Sequence, residues 1–325
     1  SSAASDVYKR QVLEELSKSH ELPKLILKYR EYEKLRSTYI EGLKNEVVKN
    51  RVHTSYNLFG TTTGRLSSEK PNLQNIPNKT DMGQRIREFF IADSKHVFVI
   101  ADYSQIELRG LAHLSNDKSM IDMLQNRESD IHSETASKIF QTNIESVTKD
   151  MRRKAKEVNF GLIYGMESFG LSKSLNISKK EAEELIEAYF SQFPKIKGFL
   201  DKIVDDATTN TFTETLYGRK RYIKELASSN FQLKAMGKRI AMNAPIQGTA
   251  SDIMKIAMIK LNKEIQKIKS TDLLLQIHDE IIIQTPKESA NKVSKIVKKE
   301  MEGASKLKVP LFVDIKENIN LSNLN

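Results

Sequence analysis

The stretch Val97–Arg109, with the sequence VFVIADYSQIELR, decides the fold of this chain. It begins with β-branched and aromatic residues that predict a buried strand. From Ile106 onward the apolar residues recur every three or four positions, which predicts a helix. The strand therefore ends at a carboxylate, Asp102, close to the start of the helix. An acid in this place can hold a metal ion against a phosphate; alternatively, it caps the helix that follows.

The composition predicts an ordinary globular protein with an excess of positive charge. The chain has 325 residues, of which 39% are hydrophobic and 29% charged, and its formal net charge is +10. That charge is compatible with a polyanionic partner, although a Lys-rich source genome would give a similar balance. The chain has no cysteine, which excludes a disulfide framework and a Cys-based zinc site.

The hydropathy pattern predicts a soluble protein. No apolar run approaches the ~18 residues of a membrane span, and the sequence has no secretory signal. We expect a cytoplasmic monomer with no membrane partner, and an organellar or phage origin stays open. Residues 1–11, SSAASDVYKRQ, resemble sequencing-adaptor read-through. We expect them to be non-native and the native chain to extend further upstream.

Amphipathic periodicity predicts helices before and after the opening stretch. A helix with one apolar face is predicted over residues 22–48, as the end of a helical subdomain. A second helical region is predicted over residues 118–206, with hinges at Gly161 and Gly165–Gly170.

Two later helices carry clear start or stop signals. Ser178 and Glu181 form a capping box, and Pro194 is predicted to close that helix. A long helical pattern over residues 231–269 contains Pro245, which is predicted to kink or break it.

Extended and irregular segments complete the pattern. Residues 61–77 are rich in Gly, Ser, Asn and Pro and predict a loop region. Residues 213–223 predict a basic turn between short extended pieces, and residues 287–301 a Lys-rich helix. The last strand is predicted over Val309–Ile315. The order of elements predicts an α+β fold, with strands at both ends of a long helical insertion.

A second acidic site lies in LLLQIHDEIII, residues 273–283. Two aliphatic runs flank three polar residues, which predicts a tight hairpin with His278, Asp279 and Glu280 at its tip. Adjacent acids in an apolar hairpin are costly unless a cation compensates them; the alternative is an exposed turn. If Asp279 lies beside Asp102, the pair could hold two Mg²⁺ ions about 3.5–4 Å apart. One ion would activate an attacking hydroxyl and the other would stabilise the leaving oxygen.

A cationic and aromatic stripe is predicted on one helix. Arg152, Lys156, Phe160 and Tyr164 are each four residues apart, so they share one face of a helix that ends near Gly165. Such a face can bind a triphosphate by charge and stack a base on a ring. The alternative is a solvated basic turn followed by core aromatic residues.

Several polar residues suit contact with nucleic acid. Arg239, Asn243 and Gln247 are also spaced by four, and such side chains can contact the bases and sugars of a duplex. Arg65, beside hydroxyls and amides, suits a phosphate backbone. His132 could reach a phosphate. Taken singly, each of these residues is better explained by a structural or solvated role, and the segment with Arg65 by a surface connector.

Together these residues resemble the family A DNA polymerases, of the bacterial DNA polymerase I type. The resemblance covers about residues 22–316. The segments that carry it are three ordered motifs and two primer-template segments: Asp102–Arg109, Arg152–Gly165, His278–Glu280, Gly64–Ser68 and Asn72–Pro77.

The resemblance implies a right-hand polymerase fold with an antiparallel-sheet palm, helical fingers and a partial helical thumb. It implies a thumb remnant over residues 12–50, palm segments over 51–116 and 248–325, and fingers over 117–247. Proofreading and 5′-nuclease domains are absent from this sequence. Ile319 stands where the family often carries Trp.

The resemblance also implies template-directed DNA synthesis in replication or repair, on primer-template DNA with deoxynucleoside triphosphates and two Mg²⁺ ions. Asp102, Tyr103 and Asp279 would bind metal, and Lys156 and Glu280 would join the two aspartates in catalysis. The implied nucleotide-binding residues are Gln105, Ile106, Glu107, His132, Arg152, Lys156, Phe160 and Tyr164. The implied DNA-binding residues are Arg65, Asn75, Arg239, Asn243, Gln247 and His278.

Two of these residues carry specificity. Glu107 is implied to crowd the 2′ position of the sugar and exclude ribonucleotides, and Phe160 is implied to discriminate against dideoxynucleotides. A single-subunit RNA polymerase and a non-catalytic DNA-binding fragment are the alternatives, and a two-metal nuclease is a more distant one.

Overall fold

The computed structural model describes residue 10, residues 12–78 and residues 80–322. Residues 1–9 and 11 of the segment expected to be non-native lie outside this description. The chain divides into two units. The smaller holds the described residues up to Leu58, then Leu66–Ile91, and the described residues from Asn320; the larger holds Phe59–Arg65 and Ala92–Ile319.

The described part of the smaller unit contains α-helices, a π-helical stretch and two short antiparallel strand pairs. Its elements are α1 (Glu21–Lys34), a π-helical stretch (Leu35–Glu41), α2 (Gly42–Asn45), β1 (Val47–Val48), β2 (Arg51–Val52), β3 (Ser55–Asn57), β4 (Ser67–Glu69) and α3 (Asp81–Glu88). Strand β1 pairs with β2, and β3 pairs with β4, both antiparallel. The helix predicted over residues 22–48 is therefore confirmed up to Asn45.

The larger unit contains six strands in two antiparallel sheets. The strands are β5 (His96–Tyr103), β6 (Phe212–Glu214), β7 (Lys220–Tyr222), β8 (Asp272–Ile277), β9 (Glu280–Pro286) and β10 (Val313–Asn318). Four of them form one sheet in the order β10–β5–β9–β8, while β6 pairs with β7 around the basic turn. Both the opening strand and the two-strand hairpin are confirmed.

Nine α-helices are described in the larger unit. They are α4 (Ile106–Ser115), α5 (Lys118–Met123), α6 (Ile131–Ile139), α7 (Lys149–Ile163), α8 (Ser168–Leu175), α9 (Lys179–Gln192), α10 (Pro194–Asn210), α11 (Phe231–Ile265) and α12 (Ala290–Glu302). Short 3-10 turns occur at Ile144–Ser146, Lys224–Ala227 and Lys287–Ser289. The mixture of helices and antiparallel sheets confirms the predicted α+β class. Among the described residues, no helix is both long and apolar enough to cross a bilayer.

The four-stranded sheet packs one face on α11 and α12. Val99 and Ala101 of β5 and Ile283 of β9 are fully buried there, in the same core as Ile253 of α11 and Val297 of α12. Alternate residues of a strand point to the same face, so this burial fixes the register of the strands. The pairing of β5 with β9 consequently sets Asp102 opposite Glu280.

Of the two predicted hinges, the one at Gly161 is wrong and the one over Gly165–Gly170 is confirmed only at its first residue. Gly161 lies inside α7, where a Cβ would come within 3.1 Å of the Met166 sulfur, so this glycine allows close packing instead of a bend. Gly170 likewise lies inside α8. Gly165, with φ +68°, does lie where the chain turns between the two helices.

The predicted cap of α9 is confirmed, but the predicted break of α11 is not. Ser178 accepts a hydrogen bond from the Glu181 backbone N–H at 3.1 Å. Helix α9 ends at Gln192, just before Pro194 as predicted, and Pro194 begins the next helix. Helix α11 continues through Pro245 for 35 residues. The neighbours Ala244 and Ile246 are buried, and their packing offsets the ~3 kcal/mol that an internal proline costs.

The last strand begins four residues later than predicted. Pro310 does not pair with the sheet, because its carbonyl accepts a hydrogen bond from Arg109 of α4 at 2.8 Å. Similarly, the Lys308 backbone N–H donates to His113 at 3.1 Å. The apolar residues before Val313 thus contact a helix, and β10 begins at Val313.

Candidate active site

Asp102 and Asp279 meet at one edge of the four-stranded sheet. Strands β8 and β9 are joined by two residues, His278 and Asp279, and His278 takes a left-handed φ of +54°. The backbone N–H of Tyr103 donates to the Asp279 carbonyl at 3.0 Å, which fixes the hairpin beside the end of β5. We name Asp102, Asp279 and Glu280 the acidic tip.

Asp102 does not cap the following helix. It lies within β5, and the residue before α4 is Gln105, which has φ 55° and makes no side-chain capping hydrogen bond. The capping alternative for Asp102 is therefore not observed, whereas the hairpin turn is partly exposed, because His278 is exposed at its first residue. Asp279 is only half-buried, and Asp102 keeps an exposed side chain.

The acidic tip concentrates negative charge. Desolvation, and then repulsion by Glu280 and Asp279, raise the pKa of Asp102 to about 7. Burial also raises the pKa of Asp279, against the opposing influence of Arg65. Carboxylates that repel one another and can be reached from solvent favour the binding of a cation.

The donor set of the tip fits a hard divalent ion. Within the described ranges, no three His, Cys, Asp or Glu side chains converge on a metal position. Mg²⁺ is characteristically held by one or two carboxylates, water and substrate phosphates. The Tyr103 hydroxyl donates to the Met301 carbonyl at 2.7 Å, so a metal contact by Tyr103 would have to come from its backbone carbonyl.

Outside the acidic tip, the carboxylate of Glu107 is buried in the same unit, and both of its oxygens accept hydrogen bonds. It is 5% exposed. Arg65 donates to its Oε1 at 2.8 Å, and the Tyr164 hydroxyl donates to its Oε2 at 2.7 Å. Burial raises the pKa of Glu107, while the contacts from Tyr164 and Arg65 oppose that rise. We name Arg65, Glu107 and Tyr164 the gate cluster.

The predicted stripe on α7 is confirmed as one face of that helix. Arg152 and Lys156 are exposed, Phe160 is partly buried, and Tyr164 is the exposed residue that ends the helix. Arg152 donates from Nε to Asp130 at 2.6 Å. Although burial opposes the effect, the hydrogen bonds from Arg152 and Ser133 lower the pKa of Asp130 to about 2.

His132 faces this helix and has a ring nitrogen with no partner. Asn159 of α7 lies with its Nδ2 3.2 Å from His132 Nδ1, and it also donates to Thr135 at 3.1 Å. An amide donor makes Nδ1 the acceptor, so Nε2 carries the proton of the neutral ring. The side chain is 3% exposed, and Nε2 has no hydrogen-bond partner. Burial, with Arg152 and Lys156 nearby, lowers the pKa of His132 to about 4.

Helix α11 brings its predicted residues to the end of α7. Gln247 hydrogen-bonds with the Tyr164 side chain, and a Cβ at Gly165 would lie 2.8 Å from Arg239 Cγ. Asn243 has a buried Nδ2 with no partner in the described chain.

The remaining predicted residues differ in accessibility. Ile106 is buried, whereas His278 is exposed at the hairpin. Asn75 lies in the smaller unit, where its side chain is exposed and its carbonyl accepts from Tyr39.

Sequence reasoning gave no role to three residues that support the site. Asn159 fixes the ring of His132, and its position three residues after Lys156 was the available signal. Arg219 and Asp252 form an ion pair at 2.5 Å behind the loop that carries Arg65. They are 33 residues apart, so no local spacing points to the pair.

Comparison with known proteins identifies the family. The family model described as DNA polymerase family A matches residues 4–322. The chain belongs to DNA polymerase family A. The predicted recognition is thereby confirmed, and enzymes of this family are metal-dependent.

Relatives within family A are similar over nearly the whole chain. The DNA polymerase I of Caldicellulosiruptor bescii is 50% identical over 316 residues, which cover 95% of this chain and 37% of that protein. The thermostable DNA polymerase I of Thermus aquaticus is 45% identical over 306 residues, covering 94% of this chain and 36% of that protein. The chain thus spans little more than a third of these relatives.

A solved structure in the family has the same fold. The POL domain of Pol1 from M. smegmatis, in complex with DNA primer-template and dNTP, superposes with a TM-score of 0.91 at 38% identity. The match covers 96% of this chain and 56% of that one. The polymerase-domain fold predicted for this chain is therefore confirmed.

Proposed function

We propose that this chain is the polymerase region of a DNA-directed DNA polymerase. It would add deoxynucleotides to a primer 3′-hydroxyl, as directed by a template, with loss of pyrophosphate. The observation that carries this proposal is the acidic tip, where two acids from distant parts of the sequence share one sheet edge. Membership of family A, and the solved relative in complex with primer-template and dNTP, support it.

We assign the metal site to Asp102, Asp279 and the Tyr103 carbonyl, with Glu280 beside it. When bound, two Mg²⁺ ions would supply charge stabilisation for an in-line displacement at phosphorus. The contribution of the chain is to hold the two carboxylates rigidly through β5 and the two-residue hairpin, with the repulsion between them left for cations to relieve.

The triphosphate is assigned to the cationic end of α7. Lys156 and Arg152 are exposed on one face, and the buried Nε2–H of His132 has no partner in the described chain. A neutral imidazole N–H can donate to a phosphate oxygen without first taking up a proton. Closure of α7 over the nucleotide would exclude water before the reaction.

The sugar and base of the nucleotide are assigned to the gate cluster and Phe160. Glu107, held from both sides, would crowd the 2′ position and exclude ribonucleotides, with Gln105 and Ile106 beside it. Tyr164 and Phe160 would pack on the base and sugar. Primer-template contacts are assigned to Arg65, Asn75, Arg239, Asn243, Gln247 and His278.

The domain assignment follows from the same resemblance. Palm segments are assigned to residues 51–116 and 248–325, fingers to 117–247 and a thumb remnant to 12–50. We also propose that the protein acts as a monomer.

A primer-extension assay tests the proposal against its alternatives. We expect extension with deoxynucleotides and Mg²⁺, none after chelation by EDTA, and poor extension with ribonucleotides. Equal use of ribonucleotides would favour an RNA polymerase. Binding of a labelled duplex, measured by fluorescence anisotropy, without Mg²⁺-dependent extension would favour a non-catalytic DNA-binding fragment.

A further inference from the structure

The loop that carries Arg65 turns against a second arginine. Gly64 has φ +82°, and a Cβ built there would lie 2.7 Å from Nε and 3.1 Å from Cζ of Arg219. The Arg219 guanidinium therefore packs directly on the Gly64 backbone, immediately before Arg65. On the other side of the turn, the Thr61 hydroxyl donates to the Arg65 carbonyl at 2.7 Å.

The Arg219 guanidinium is itself held in one orientation. Its Nε and Nη2 donate to Asp252 Oδ1 at 2.8 and 2.5 Å. Asp252 is 6% exposed, and its Oδ2 accepts from the Thr215 hydroxyl at 2.7 Å. Both oxygens of the buried carboxylate are thus occupied, while the Arg219 side chain stays 41% exposed. Removing Arg219 would leave the Asp252 charge buried without its cation, which is costly.

This pair is anchored to the long helix α11. Asp252 belongs to α11, and Thr249 of the same helix accepts a hydrogen bond from the Leu216 backbone N–H at 3.0 Å. Gly248 lacks the side chain that would collide with the Thr215 methyl group. The β6–β7 turn is therefore fixed on the helix, and Arg219 reaches the Gly64 loop from a rigid base.

We propose that Arg219 and Asp252 are positioning residues for nucleotide sugar selection. They brace the Gly64 turn, the turn presents Arg65 to Glu107, and Arg65 holds one of the two Glu107 oxygens. Neither Arg219 nor Asp252 contacts Glu107, so both act through Arg65. This inference rests on the proposed function, because it assigns the discrimination against ribonucleotides to Glu107.

The first test measures deoxynucleotide over ribonucleotide preference as a ratio of kcat/KM. We expect Arg219→Ala to lower this ratio roughly tenfold, in the range found for groups that orient another functional residue. Arg219→Lys keeps the charge but loses the planar fork, so it should lower the ratio by less. Lys220→Gln is the matched control: Lys220 follows Arg219 directly, at the start of β7, but pairs with exposed Glu214, and the ratio should not change.

A double-mutant cycle separates positioning from general stabilisation. If Arg219 acts through Arg65, Arg219→Ala should have no further effect on the ratio in an Arg65→Ala background. Additive losses in the double variant would overturn the proposal, since they would mean that Arg219 affects selection by another route.

A mobility measurement tests the brace without any enzymatic activity. The chain has no cysteine, so Thr62→Cys gives a single site for a nitroxide label on the exposed part of the loop. We expect Arg219→Lys to increase the label's mobility in its EPR spectrum, and Lys220→Gln to leave it unchanged. An unchanged spectrum in Arg219→Lys and Arg219→Ala would overturn the brace.

The two measurements also separate this inference from the proposed function. If the parent chain does not extend primers, the proposed function fails, and the spectrum still decides whether the brace exists. If extension occurs and mobility rises but the ratio stays constant, the proposed function stands and the link to sugar selection is overturned.

Discussion

The acidic tip and the gate cluster handle negative charge in opposite ways, although both lie in the larger unit. Glu107 is buried, and each of its oxygens accepts a hydrogen bond from a side chain of the protein. Asp102 and Asp279 stay reachable from solvent; burial raises the pKa of both, and at Asp102 repulsion by Glu280 and Asp279 adds to that rise. A carboxylate whose charge is compensated by donors of the protein is held in one position. A carboxylate without such donors is available to an external cation. The comparison therefore supports the proposed steric role of Glu107 and the proposed metal-binding role of Asp102 and Asp279 as different roles.

The largest expected effect comes from neutralising the acidic tip. Asp279→Asn should lower kcat for primer extension by at least ~10³-fold, because a metal at such a site contributes several kcal/mol. Duplex binding should stay largely intact and is measured by fluorescence anisotropy. Asp272→Asn, an exposed acid at the start of β8, is the control and should extend normally. Near-normal rates in Asp279→Asn would remove the acidic tip from catalysis.

Glu107→Ala should change selectivity instead of rate. Removing the side chain opens the space beside the sugar, so we expect ribonucleotide use to rise by about 10²-fold relative to deoxynucleotide use. The rate with deoxynucleotides should fall by much less than in Asp279→Asn. Steady-state kinetics with both nucleotide types measures this. A loss of rate with unchanged selectivity would mean that Glu107 belongs functionally with the acidic tip.

Lys156→Ala removes a positive charge that lies outside both the acidic tip and the gate cluster. It should chiefly raise KM for the nucleotide, by roughly tenfold, because a phosphate contact by a single lysine is lost. Arg153→Ala, one turn away and paired with Asp150, is the matched control. An unchanged KM and kcat would remove Lys156 from the site.

The smallest expected effect comes from His132. Like Glu107 it is buried, but only its Nδ1 has a hydrogen-bond partner, and its Nε2 has none. Its pKa is lowered to about 4, so between pH 6.5 and 4 the unfolded chain binds more protons than the folded one. Stability therefore falls as the pH drops through that window. His132→Gln should lose fewer degrees of Tm between pH 6.5 and 4.5 than the parent, by about 2–4 °C. Equal losses in both proteins would show that the pKa of His132 is the same in the folded and the unfolded chain.

Local patterns were sufficient to predict the acidic tip and the α7 stripe. Asp102 and Asp279 each follow a run of aliphatic residues, and the residues of the stripe recur with the helical period. These features depend on neighbours in the chain, which the sequence displays directly. Local patterns did not show that Asp102 and Asp279 lie at the same edge of the sheet; that prediction came from the family resemblance.

Features that depend on distant packing were missed or predicted wrongly. Gly161 was predicted to be a hinge, but in the structure it makes room for the Met166 side chain. Pro245 was predicted to break the helix, but the packing of its buried neighbours Ala244 and Ile246 keeps the helix continuous. The Arg219–Asp252 pair and the donor from Asn159 to His132 join separate elements, and no spacing rule reveals such contacts.

The unbroken course of α11 has a consequence for how this polypeptide can vary. The helix carries Gln247 beside Tyr164, Asp252 behind the Gly64 loop and Ile253 beneath the sheet. Inserting one residue between Gln247 and Asp252 would rotate everything on one side by about 100° relative to the other. We therefore expect insertions and deletions within this segment of α11 to be tolerated less well than single substitutions.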